Sequence, residues 1–124
     1  MSRKSLGKRF KIPLYNREVL VYFCEADAKK EIPLLEEDKL GFTGYVETVQ
    51  DDDGNRAILL VFRSLEDATI ECIAHESTHL AMITLDMAGV PINFDNQEAV
   101  AYLVGYCSMR LAEIVNKQQE VENK

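Results

Sequence analysis

No stretch of this sequence approaches the uninterrupted apolar length of a membrane span, so a transmembrane helix is not expected. The N-terminus carries charge without the apolar run that follows it in a secretory signal, so an export signal is not expected either. Cysteine is sparse. Cys24, Cys72 and Cys107 are odd in number, scattered and without C-x-x-C spacing, which argues against a disulfide framework and for a reducing, cytoplasmic compartment. Basic charge is in deficit too: 14 Lys and Arg against 21 Asp and Glu leave a net charge of −7, which disfavours a nucleic-acid partner held through its phosphates. The exception is the start of the chain, where Arg3, Lys4, Lys8, Arg9 and Lys11 make a basic segment, read over residues 1–9 as a flexible, solvated arm. At 124 residues the chain is expected to form one domain with one core.

Histidine is the scarcest residue with functional potential, and both copies fall in one motif. His75-Glu76-Ser77-Thr78-His79 has the pattern H-E-x-x-H inside an apolar stretch that reads as one long helix. Residues four apart share a helical face, one turn up, so His75 and His79 can offer ring nitrogens to the same metal ion. Glu76 neighbours them on the wheel. That bearing puts its carboxylate beside the metal position and not on it, where a general base takes a proton from an attacking water. The bland alternative is a pair of hydrogen-bonded histidines on a core helix. It leaves unexplained why the whole histidine complement is spent on this spacing.

Ahead of the motif, residues 10–15 and 18–24 read as two strands joined at Asn16-Arg17, with Pro13 confining the first to an edge. Glu25 to Lys30 reads as a short helix and residues 31–41 as an exposed connection. A second strand pair, Gly44 to Val49 and Ala57 to Phe62, flanks Asp51-Asp52-Asp53-Gly54-Asn55, a turn composition without the spaced oxygen ligands of a calcium loop. Ala57 to Phe62 is apolar throughout, as suits a strand covered on both faces.

Ser64, with Asp67 three residues on, predicts that the metal helix starts at Leu65, and Gly89-Val90-Pro91 predicts its end near Ala88. Its side chains predict a helix buried on nearly all sides. Asp95 or Asn96 then caps a last helix running from Gln97 to about Lys117, with residues 118–124 as a frayed tail. Ala101, Gly105, Ser108 and Ala112 form a stripe of small residues on that helix, expected to let it approach the metal helix closely. Glu98 heads the stripe, after 18 intervening residues from His79, and is the candidate third metal ligand. Cys72, one turn before His75, is its rival for that position.

His75-Glu76-Ser77-Thr78-His79 with Glu98 in a following Glu-Ala-Val-Ala-Tyr helix resembles the gluzincin arrangement of zinc metallopeptidases. More narrowly it resembles the short zincin-like proteins of tailed phages and prophages, and more loosely the ImmA and IrrE type of metallopeptidase. The resemblance covers about residues 41–112 and implies a minimal α+β zincin: a small, mostly antiparallel sheet packed on a long metal helix and a C-terminal helix. It implies one zinc on His75, His79 and Glu98, Glu76 as the base, and an edge strand, here Gly44 to Val49, able to hold an extended peptide. The chain departs from the larger gluzincins in placing Tyr102 where they often have an aspartate, and it has no third histidine for the oxyanion. Tyr102, Tyr106 and Arg110 lie on the helix that could supply such a donor, Tyr102 first. The expected activity is zinc-dependent hydrolysis of a peptide or protein substrate in the cytoplasm, the host's if a phage encodes the chain. The expectation from a different class is a zinc-stabilised phage or prophage protein that binds a host factor without turnover.

Overall fold

A computed structural model describes residues 7–32, 43–50 and 54–123. In chain order the elements are β1 (Lys8–Ile12), β2 (Arg17–Tyr22), α1 (Glu25–Glu31), β3 (Gly44–Gln50), β4 (Arg56–Phe62), α2 (Ile70–Met87), a 3-10 turn (Phe94–Asn96) and α3 (Gln97–Glu122). The protein is α+β, with a four-stranded mixed sheet in the order β1-β2-β4-β3. β1 and β2 form the expected hairpin and β3 pairs with β4 antiparallel, whereas β2 and β4 pair in parallel at the centre. Pro13 falls outside β1, in the hairpin turn, where its carbonyl accepts from Tyr15 N–H at 2.8 Å.

β4 holds the fold together. Ala57 to Phe62 are all buried, since β4 is an inner strand covered on both faces. Ile58, Leu60 and Phe62 join the core beneath α2 and α3, while Leu59 and Val61 pack with Leu20, Tyr22 and Ala28 under α1. Each buried Ile, Leu, Val or Phe side chain contributes about 1.5–3 kcal/mol by leaving water. Phe62 also stacks on Phe23, with ring centroids 5.7 Å apart.

α2 begins five residues later than Ser64 suggested. Ser64 and Asp67 do bond reciprocally, Ser64 Oγ to Asp67 Oδ2 at 2.8 Å and Asp67 N–H to Ser64 Oγ at 3.3 Å. Arg63 also grips the Asp67 carboxylate with two nitrogens, so the motif closes a tight turn that carries Ala68 into the core. Thr69 is the actual N-cap, its hydroxyl accepting from Cys72 N–H. The C-terminus falls where expected. Gly89 has φ 73°, Val90 N–H reaches Leu85 O and Gly89 N–H reaches Asp86 O, the paired bonds of a Schellman cap.

Two expectations about the helices are overturned. α2 is not buried on all sides: Cys72, Ile73, Glu76, Ser77, Leu80, Ala81, Thr84 and Leu85 face inward, but His75, His79, Met82 and Asp86 form an exposed stripe. Nor does the small stripe of α3 face α2. The buried seam of α3 is Leu103, Cys107, Leu111 and Val115, whereas Ala101 and Gly105 are exposed and a Cβ on Gly105 would meet nothing within 4 Å. Apolar volume at i, i+4, i+8 and i+12 outweighs the closer approach that small residues would permit. α3 also runs to Glu122, past the expected end at Lys117.

Candidate metal centre

The second and third turns of α2 carry the centre. The run Ala74-His75-Glu76-Ser77 has no β-branched residue, Thr78 satisfies its hydroxyl on Ala74 O at 2.9 Å, and the helical repeat holds His75 and His79 one above the other. Their Nε2 atoms lie 3.2 Å apart. Two corners of a zinc tetrahedron with Zn–N bonds of about 2.0–2.1 Å are about 3.3 Å apart, so the separation of the imidazole nitrogens matches two positions on one ion. Both rings are open to solvent, His75 with its side chain 67 % exposed.

Glu76 is the opposite case. It is only 3 % exposed, and Oε2 is buried without a hydrogen-bond partner. Oε1 stands 3.8 Å from His75 Nε2, beside the ligand pair. Burial pushes its carboxyl above the usual carboxylate range, while His79 and His75 pull it back. An unpaired carboxylate oxygen buried next to two convergent imidazoles is costly unless a cation or a polar group completes it. Among the described residues, His75, Glu76 and His79 are the group able to hold a metal ion, their ligand atoms all within 4.8 Å of one another.

The structure does not bring Glu98 into that group. Glu98 lies exposed in the first turn of α3, on a bearing roughly 140° from the seam residue Leu103. Cys72 is buried and also outside the group; its Sγ lies 3.5 Å from Thr43 Oγ1, and burial raises its thiol pKa. Tyr102 is 55 % exposed on α3. Tyr106 donates to Lys11 O at 3.1 Å, and Arg110 sits over the Phe10 ring, so both fasten α3 to β1. The aspartates 51–53 lie outside the described residues.

Sequence reasoning missed Gly44. It opens β3 on the outer edge of the sheet and is buried against α2, where a Cβ would lie 3.4 Å from Cys72 Sγ and 3.5 Å from Glu76 Cγ. A lone glycine at a strand start carries no signal of that neighbour. No protein-family model, curated protein or solved structure matches the chain. Among the described residues no helix is long and apolar enough to cross a membrane.

Proposed function

We propose that this chain is a zinc-dependent peptidase of minimal zincin-like design. The observation that carries the reading is the pairing of two convergent imidazole nitrogens, 3.2 Å apart, with an adjacent buried carboxylate whose Oε2 has no hydrogen-bond partner. A bound zinc ion would supply Lewis acidity, acidifying water and polarising a peptide carbonyl. His75 and His79 hold the ion and, in this reading, Glu98 takes the third protein position from the head of α3. Glu76 accepts the proton of the attacking water on its carboxylate and returns it to the leaving amine nitrogen. The outer edge of β3 holds the substrate as an extended strand, and Tyr102 is the first choice for a donor to the oxyanion.

A second reading has its own support: a zinc-stabilised phage or prophage protein that engages a host factor without turnover. The openness of both imidazoles and the position of Glu98 outside the ligand group favour it. Zinc-loaded parent and Glu76→Gln chains, assayed on a mixed peptide library, separate the two. Cleavage by the parent alone supports the peptidase, and cleavage by neither supports the binding protein.

A further inference from the structure

Gly44 lies beside the arm of the proposed base on one side and, among the described residues, faces the outer edge of the sheet on the other. A Cβ at Gly44 would crowd Val61 O at 3.3 Å and would just come into ordinary contact with Cys72 Sγ at 3.4 Å and Glu76 Cγ at 3.5 Å, so a larger side chain there would press on the Glu76 arm. The register fixes the other side. Arg63 N–H donates to Thr43 O at 2.9 Å, so Thr43–Arg63 and, two residues on, Tyr45–Val61 are the hydrogen-bonded pairs of this antiparallel ladder. The alternate residues, Gly44 and Val46, therefore turn their N–H and C=O groups outward, away from β4.

The buried Oε2 of Glu76 has no hydrogen bond to fix it, so packing sets the carboxylate arm. Cys72, four residues earlier on the same helical face, packs against the same spot as Gly44. We propose that Gly44 is a positioning residue, which holds the Glu76 arm and the backbone of an edge-paired peptide in one fixed mutual register. A single residue thereby sets the distance between the carboxylate and the scissile carbonyl. This rests on the reading of Glu76 as the base. Displacing a reacting group by about 1 Å costs on the order of 10²-fold in rate, so a small wedge at Gly44 is enough to be seen.

The test uses the full zinc-loaded chain with fluorescein-labelled casein as probe. Gly44→Val is expected to lower kcat about 10- to 100-fold with KM and zinc affinity within about twofold of the parent. Gly44→Ala, which requires its neighbours to move only slightly and keeps the fold if valine does not, is expected to lose less. In Gly44→Val with Cys72→Ala, the space left by Sγ is expected to restore most of the lost kcat. A Gly44→Val chain that keeps its kcat while Glu76→Gln is inactive overturns the inference and leaves the peptidase reading standing. So does a loss expressed only in KM, or one accompanied by falling zinc affinity, since either would make Gly44 a pairing or scaffold residue. A zinc-loaded parent that leaves casein intact removes the peptidase reading, and the inference with it.

Discussion

His75 and His79 present their Nε2 atoms to each other at 3.2 Å with ring planes 72° apart, an edge-on arrangement exposed on the outer face of α2. A shared metal ion would use one lone pair from each ring. The purified chain is expected to bind one zinc, and His79→Ala to weaken that binding severely. Elemental analysis of tag-free protein and titration against a chelating dye measure it. Failure to take up zinc when it is supplied sinks the metal centre.

Glu76→Gln is expected to retain zinc and to lose peptide hydrolysis by about 10²–10⁴-fold, the usual contribution of a positioned acid or base. A variant that loses its zinc instead would make the carboxylate a ligand and move the base elsewhere.

Glu98→Ala is expected to weaken zinc binding by well over the roughly 10–100-fold of changes behind the ligands. Cys72→Ser is expected to leave it unchanged, because the buried Sγ is turned to Thr43 Oγ1 at 3.5 Å. The reverse pattern would hand the third position to Cys72. No change in either variant would leave the two imidazoles and Glu76 as the whole centre.

Gly105→Ala is expected to stabilise the fold by about 0.5–1 kcal/mol, since an added Cβ meets nothing and the glycine is a helix-interior position. Thermal melting of the metal-free chain reads this directly, and zinc affinity should not move. A destabilised Gly105→Ala would mean that α3 packs more tightly along its small stripe than the seam at Leu103 and Cys107 implies.

Burial pushes the Cys107 thiol up to about 12 from 9.0, and burial together with Glu25 and Glu47 pushes the Tyr45 phenol up to about 12 from 10.0. Both groups are held neutral by folding, so their contribution is complete below the unfolded pKa and is lost as pH rises through the folded one. Stability is therefore expected to fall between about pH 9 and 12, by at most about 1.4 kcal/mol per pH unit for a single thiol proton. Cys107→Ala should flatten the thiol's part of that slope in urea melts; an unchanged slope would assign the whole limb to other groups.

What local chemistry decides was legible in advance. The doubly covered β4, the glycine stop after α2 and the one-turn spacing of His75 and His79 each depend on residues a few positions apart. What depends on distant partners was not. Nothing near β2 or β4 in the chain announces that they pair in parallel, and Ser64 looked like a helix cap because its bond to Asp67 is the same bond in a turn. The small stripe of α3 misled because spacing shows which residues share a face but not which face the core selects.

The two halves of the centre come from different ranges of the chain. The imidazoles are neighbours by helical geometry alone, within one turn of α2. The burial of Glu76 depends on a strand that starts more than thirty residues earlier in the sequence, which must close a long loop before Gly44 can meet it. The order of assembly follows from that difference. In the proposed peptidase the base would be completed only once the edge strand docks, so hydrolysis would be held in check during folding.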